Sequence, residues 1–182
     1  ERNALIIAAS GNGQAEGNQP NYPAAYPNVL AVSATTSTDG VTGFSTTGEF
    51  VDIAAPGVGL WSTIWTPDEG DTYGVQNGTS ASCPHVAGAA GLALSLRPDL
   101  SADQLAEILE AAADDQGAPG KDPEYGYGRL NVLRVVQLAA DPNILSRSAI
   151  QGVVSGAQGN QVTVALSSGQ QTQPDGNGFY RF

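Results

Sequence analysis

Three short apolar runs occur in the first third of the chain, and turn residues follow each of them. They are ALIIAAS at 4–10, NVLAVSAT at 28–35 and FVDIAAPG at 50–57. Continuous apolar runs of this length, without polar alternation, are typical of strands buried on both faces. Helical segments further along the chain suit crossover connections, so the pattern predicts an α/β fold with a parallel sheet.

The middle of the chain predicts a hairpin and then three helices. The hairpin pairs GLWSTIW (59–65) with DTYGVQN (71–77) across the long turn TPDEGD. The first helix, about 80–96, is small or apolar nearly all round, which is typical of a helix inside a domain. The second begins after Ser101 as N-cap, with an apolar stripe of a surface helix at Leu105, Ile108, Leu109 and Ala112. The third helix is expected over 128–140.

The composition changes near residue 150. Residues 150–182 are rich in Gly, Gln, Ser and Val, and stretches such as QVTVALS alternate with period two. We expect residues 1–145 to form the main α/β portion. Residues 150–182 are expected to form a β-rich appended segment, which packs on the main portion or is cut short. The stretch QTQPDGNGFYRF resembles strands of appended β-sandwich modules, which implies an incomplete module that recognises polysaccharide or protein.

Charge and composition exclude some classes of partner. The chain has 7 Lys and Arg residues against 18 Asp and Glu, a net charge of −11, so nucleic acid and anionic membranes are not expected partners. No apolar run approaches the roughly 18 residues that cross a bilayer. The single cysteine, Cys83, excludes an internal disulfide. There is no methionine, and the chain opens on an apolar strand, so we expect an excised or processed piece.

The stretch VQNGTSASCPHVAG at 75–88 carries the strongest candidate chemistry. Gly78 permits a sharp turn, and Ser80 would then lie at a helix start, where unpaired N–H groups point outward. Such a serine is either an N-cap or a nucleophile for acyl transfer. His85, the only histidine, lies five residues further on, about 140° round the helix and roughly 7.5 Å along it. It is therefore expected to be a packed helix residue and not the base for Ser80.

Several segments together resemble one enzyme family. NGTSASCPHVAGAAGLAL is similar to the active-serine segment of the subtilisin-like serine proteases (subtilases), and IIAASGNG to the turn that carries their oxyanion-hole asparagine. NYPAAYPNVLAVSAT, FSTTGEFVDIAAPGVGLWSTI and YGYGRLNVLRVVQLA resemble later segments in the same order, over residues 1–140. The resemblance implies the C-terminal portion of a subtilisin-like fold and hydrolysis of peptide bonds through an acyl-enzyme.

The resemblance also implies roles for individual residues. Ser80 would be the nucleophile, and Asn12 the side-chain donor of the oxyanion hole beside the Ser80 N–H. No cofactor would be required, although calcium or a monovalent cation could bind three backbone carbonyls as a structural ion. The implied substrate-binding residues are Ala8, Ala9, Ser10, Gly11 and Asn21, and the implied cation-binding carbonyls are those of Ala24, Tyr26 and Val29.

The resemblance further implies that two catalytic groups lie outside this chain. The subtilisin triad runs Asp, His, Ser in sequence order, so its Asp and His precede the segment that resembles residue 1. We expect the isolated chain to be inactive, because a serine without a base is a weak nucleophile. An N-terminal half would supply both groups to act on polypeptide in a secreted, extracellular enzyme. Alternatively, the chain is a non-catalytic binding or structural module that self-associates through the exposed sheet edge.

Overall fold

The computed structural model describes residues 3–141, 151–153, 164–165, 171–172 and 179–181. A parallel sheet lies at its centre, with strand order β1-β2-β3. The strands are β1 (Ile6–Ala9), β2 (Val29–Thr35) and β3 (Val51–Pro56). In β2 every side chain from Leu30 onward is buried, as the apolar runs predict for a central parallel strand. The expected α/β fold with a parallel sheet is confirmed.

The predicted hairpin is present, with a shorter turn than expected. Strand β4 (Leu60–Thr66) pairs antiparallel with β5 (Gly70–Gln76). Only residues 67–69 remain between the strands, because Trp65 and Thr66 still pair with Asp71 and Gly70.

Three α-helices complete the described fold, together with one 3₁₀ turn at Gln14–Glu16. They are α1 (Thr79–Leu96), α2 (Ala102–Ala112) and α3 (Val132–Ala140). At the start of α2 the Ser101 hydroxyl accepts from the Gln104 N–H, and the Gln104 side chain accepts from the Ser101 N–H. The predicted stripe of α2 is its buried face, which confirms a surface helix.

Helix α1 packs across the sheet, and small side chains allow the close approach. Val86, Ala89 and Ala93 are at most 2% exposed and join the core formed with the sheet, α2 and α3. The Cys83 thiol lies 3.6 Å from the carbonyl oxygen of Ile7 in β1. The start of α1, which carries the candidate serine, is thereby held against the sheet.

The expectation that α1 is buried all round is wrong for the described part of the chain. Leu92 and Leu96 are each 48% exposed, because no described element packs on that side of the helix. The exposed residues of α1 beyond its first turn are Pro84, His85, Ala87, Gly88, Gly91, Leu92, Leu94, Ser95 and Leu96.

The expectation that α3 begins at residue 128 is also wrong. Residues 128–130 run beside β3: the Ala54 N–H donates to the Gly128 carbonyl, and the Leu130 N–H donates to the Ala54 carbonyl. The helix begins only after Asn131, whose side chain accepts from the Arg134 N–H. Hydrogen bonding to a distant strand thus replaces one turn of helix.

Beyond residue 141 the structure describes four short strands. Strand β6 (Gln151–Val153) pairs antiparallel with β9 (Phe179–Arg181), and β7 (Val164–Ala165) with β8 (Gln171–Thr172). Residues 142–150, where the two expected portions meet, lie outside the described residues, and the division into two portions stays a prediction. In the described ranges, no helix combines the length and apolarity that a bilayer crossing needs.

Candidate active site

Ser80 lies at the junction of the hairpin and α1. Strand β5 ends at Gln76, two residues follow, and α1 begins at Thr79. The N-cap is Gly78, which has no side chain of its own to cap the helix. Ser80 is therefore a first-turn residue with an exposed side chain, which excludes the interpretation of its hydroxyl as an N-cap.

Gly57 fixes this junction to the sheet. Its N–H donates to the carbonyl of Thr35 at the end of β2, and its carbonyl accepts from the Gly78 N–H at 2.8 Å. A Cβ on Gly57 would lie 2.6 Å from the Ala34 Cβ and would overlap the Ser82 hydroxyl. Only glycine permits this approach, which brings the ends of β2 and β3 against the start of α1.

The Asn12 side chain faces the serine with its amide nitrogen. Its Oδ1 accepts two hydrogen bonds, from the N–H and the hydroxyl of Thr79, each at 3.0 Å. This fixes Nδ2 on the other side of the amide. The position that a Cβ on Gly78 would occupy lies 3.1 Å from the Ser80 Oγ and 3.2 Å from the Asn12 Nδ2. The Ser80 hydroxyl and the oriented Asn12 amide therefore both lie beside Gly78 and close to each other.

Thr79 is a positioning residue that the sequence analysis did not identify. Its buried hydroxyl donates to Asn12 Oδ1 and accepts from the Gly11 N–H at 3.2 Å. A threonine beside a candidate nucleophile carries no separate signal, because its partners lie 67 and 68 residues away in sequence.

His85 interacts within its own helix. Its Nδ1 lies 2.9 Å from the carbonyl oxygen of Ala81, so this nitrogen carries the proton and donates. The ring is exposed, so the expectation of a packed residue is wrong for the described chain. The bond to Ala81 agrees with the prediction that His85 is not the base for Ser80.

The residues expected to bind substrate lie around the end of β1. Ala8 and Ala9 are partly buried, whereas Ser10 is fully buried, with its hydroxyl 3.5 Å from that of Ser45. A Cβ on Gly11 would lie 2.9 Å from the side-chain nitrogen of Asn21. The structure therefore brings Gly11 and Asn21 together, while the Ser10 side chain points into the core.

The loop expected to bind a cation contains tight turns. The Tyr26 carbonyl already accepts from the Val29 N–H at 3.4 Å, and Ala24 is buried. In the described part of the chain no three His, Cys, Asp or Glu residues gather as a metal site. Any cation here would depend on carbonyl oxygens, so the site stays a prediction.

The pKa of an ionisable group near Ser80 is shifted by burial alone, whereas neighbouring charged groups also shift pKa values at the far edge of the sheet, along β3. Burial raises the pKa of the Cys83 thiol, which favours its neutral form under β1. At the far edge, burial and then the Asp52 carboxylate raise the pKa of Glu110 to about 7, and Lys121 opposes part of this shift. Burial would also raise the pKa of Asp114, but hydrogen bonds from Arg129 and other donors outweigh it and lower that pKa.

Comparison with known proteins gives a family match over most of the described fold. The family model described as "Subtilase family" matches residues 1–128. Among solved structures, the crystal structure of a lanthipeptide protease superimposes with a TM-score of 0.63 and 24% sequence identity. The match covers 75% of this chain and 51% of that one, and it shows that the two share a fold.

Curated relatives are more similar in sequence. Subtilisin E of Bacillus subtilis is 40% identical over 135 residues, 73% of this chain and 34% of the relative. Thermitase of Thermoactinomyces vulgaris is 40% identical over 136 residues, 75% of this chain and 45% of the relative. The halolysin-like extracellular serine protease Nep of Natrialba magadii is 40% identical over 140 residues, covering 76% and 24%. The chain thus spans about a quarter to a half of these relatives, and it belongs to the subtilase family of serine proteases.

Proposed function

We propose that this chain supplies the nucleophile and the oxyanion hole of a serine endopeptidase. The observation that carries the proposal is the proximity of Ser80 Oγ and Asn12 Nδ2, which both lie beside Gly78. Family membership supports the same chemistry. The substrate is a polypeptide, whose scissile carbonyl carbon would lie beside the Ser80 hydroxyl.

The reaction proceeds in two halves. The Ser80 Oγ attacks the scissile carbonyl carbon while a base takes the hydroxyl proton, and the carbonyl oxygen becomes an oxyanion. That oxyanion accepts hydrogen bonds from Asn12 Nδ2 and the Ser80 N–H, and one such donor contributes about 2.7–4 kcal/mol to transition-state stabilisation. Collapse of the intermediate breaks the C–N bond, the protonated base gives its proton to the leaving amine, and water then hydrolyses the acyl-enzyme.

The base comes from outside this chain in our proposal. The single histidine, His85, donates to Ala81 within its own helix. An N-terminal half of the protease domain would bring the Asp and His to Ser80 by docking on the outer edge of β1 and the exposed side of α1. Ile6 of β1 is 55% exposed, and Leu92 and Leu96 of α1 are each 48% exposed, as such a partner requires.

The remaining assignments are proposals of the same kind. The backbone of Ala8–Gly11 and the side chain of Asn21 would hold the substrate residue before the scissile bond. A structural calcium or monovalent ion on the carbonyls of Ala24, Tyr26 and Val29 is optional for catalysis. An extracellular site of action fits the extracellular protease among the relatives.

A fluorophosphonate probe tests the proposal, because it reacts with activated serines. The isolated chain should remain unlabelled, and the chain joined to a polypeptide that supplies the Asp and His should be labelled at Ser80. Labelling should disappear in Ser80→Ala and persist in Ser82→Ala. Ser82 is the matched control because its buried hydroxyl has no hydrogen-bond partner among the described residues.

Two outcomes would contradict parts of this proposal. Labelling of Ser80 in the isolated chain would show that an external base is not needed. A joined protein that folds but is not labelled would leave the alternative, a non-catalytic module that self-associates through the β1 edge. Sedimentation of the isolated chain at several concentrations would then detect that association.

A further inference from the structure

One face of the β4–β5 hairpin carries three exposed aromatic side chains. Trp61 is 74% exposed, Trp65 69% and Tyr73 71%. Trp61 pairs with Val75, and Thr63, on the same face as both tryptophans, pairs with Tyr73. Side chains alternate along each strand, so the three aromatics share a face, with the tryptophans about 13 Å apart. We call this surface, formed by Trp61, Trp65, Tyr73 and Val75, the aromatic face.

The apolar side chains on the opposite face of the hairpin are less exposed than those of the aromatic face. Ile64 lies over Gly74, where a Cβ would come within 2.5 Å of its terminal carbon. That apolar side chain is only partly exposed. Asp71 pairs with Trp65 across the strands, so its carboxylate lies on the aromatic face. Three aromatic rings together in water are unusual for a surface without a binding role.

The negative charge of the hairpin favours a basic ligand for the aromatic face. Residues 57–96 contain Asp68, Glu69 and Asp71 but no Lys or Arg, so the hairpin is acidic as well as aromatic. Aromatic faces attract cations, and nearby carboxylates strengthen that attraction. A polypeptide segment with alternating basic and apolar side chains complements both features.

The hairpin is rigidly connected to the catalytic junction. At its base the Gly59 N–H donates to the Asn77 side chain at 2.7 Å, and the Gly78 N–H donates to the Gly57 carbonyl at 2.8 Å. Val75 is five residues before Ser80 in the sequence. A segment bound to the aromatic face is therefore tethered close to the nucleophile.

We propose that the aromatic face is an exosite that binds a basic, apolar segment of the polypeptide substrate, apart from the bond to be cleaved. The role of that segment as substrate rests on the proposed function, whereas the binding does not. The exosite raises the local concentration of substrate at Ser80 and selects for chains with basic segments.

Tryptophan fluorescence tests the binding directly, since both tryptophans of the chain lie on this face. The probe is the peptide (Lys-Phe)₄, with (Glu-Phe)₄ as its charge-reversed counterpart. We expect saturable binding of the basic peptide, a blue shift of the emission and weaker binding at high salt. The acidic peptide should not bind.

Variants distinguish binding at the aromatic face from nonspecific binding to any exposed apolar residue. Trp65→Thr keeps a strand-forming residue and should weaken binding of (Lys-Phe)₄ about tenfold by calorimetry. Asp71→Asn should weaken it about threefold. Leu133→Ala is the matched control, because Leu133 is an exposed apolar residue of α3 at 67% exposure, and binding should not change.

Several results would overturn the proposal. These are equal affinity in Trp65→Thr, binding of a cello-oligosaccharide in place of the peptide, or tryptophans already shielded from acrylamide in the free chain. Serine labelling distinguishes this failure from failure of the proposed function. Labelling of Ser80 without peptide binding would contradict only the exosite proposal. Peptide binding without labelling would contradict only the proposed peptidase function.

Discussion

The two outer edges of the parallel sheet differ in how they are closed. Along β3, the bridge residues Gly126 and Arg129 pair with Ile53 and Ala54, so the chain itself covers that edge. Along β1, the outer side has no strand partner in the described residues, and Ile6 is 55% exposed. The closed edge holds the domain together, whereas the open edge lies beside the residues assigned to catalysis.

The closed edge depends most on Gly126, where the largest effect is expected. Its φ is +62°, and a Cβ would overlap the backbone of Asp52 and lie 2.7 Å from the Ile53 nitrogen. Gly126→Ala should lower the free energy of unfolding by about 3 kcal/mol, from left-handed strain and overlap. Urea unfolding followed by circular dichroism measures this. Gly88→Ala, with nothing within 4 Å, is the control and should not destabilise.

Glu110 makes the stability of the closed edge depend on pH. Its pKa rises from 4.5 to about 7 on folding, so the folded state holds the proton more tightly. Stability is therefore lost as pH rises from 4.5 through about 7. Asp52, Lys121, Glu107 and Tyr127 are the charged or ionisable groups around it.

Glu110→Gln should remove that pH dependence. At pH about 8 the variant should be more stable than the parent chain by about 2 kcal/mol, less than the full pKa shift implies because the side chain is partly solvated. At pH about 4.5 the two should be equal. Parallel urea curves with the same pH slope for both proteins would contradict the assignment.

Arg129 gives a moderate effect at the same edge. Its guanidinium contacts Asp39 at 2.6 Å and Asp114 at 2.8 Å, and its backbone exchanges two hydrogen bonds with Asp114. Arg129→Ala should cost about 1.5 kcal/mol of unfolding free energy. Arg97→Ala, which removes the surface pair with Asp99, is the control and should cost clearly less than Arg129→Ala. Equal costs would show that the closed edge does not depend on this network.

The open edge should tolerate change best. Ile6→Thr keeps a β-branched residue, so the free energy of unfolding of the isolated chain, measured by thermal unfolding, should change by less than about 0.5 kcal/mol. The same change should weaken docking of an N-terminal half in a pull-down measurement. A large loss of stability in the isolated chain would show that the β1 edge is already covered.

The sequence predicted α2 fully because its signals are local. The Ser101 N-cap and the stripe that includes Leu105 and Leu109 lie within residues 101–112. The start of α3 was misplaced because residues 128–130 bond to Ala54, which no local pattern reveals. The sequence did not predict the exposed side of α1. The helix is small or apolar nearly all round, and this pattern is typical of a helix buried on every side.

The candidate site could be predicted only in part, for the same reason. The sequence around Ser80 and Asn12 carries a recognisable pattern. Thr79 acts through contacts with Gly11 and Asn12, which only the folded chain brings together. Burial of the Ser10 side chain likewise depends on Ser45 from another part of the chain.

The hydrogen bond between Gly57 and Gly78 has a consequence for how such a protein can diversify. The chain leaves the sheet at Gly57 and enters α1 at Gly78, and the Gly78 N–H donates to the Gly57 carbonyl at 2.8 Å. The two ends of the hairpin are thus held together next to α1. The length and side chains of the hairpin can therefore change without displacing Ser80. Selection can therefore alter what the hairpin binds while the position of the nucleophile is inherited unchanged.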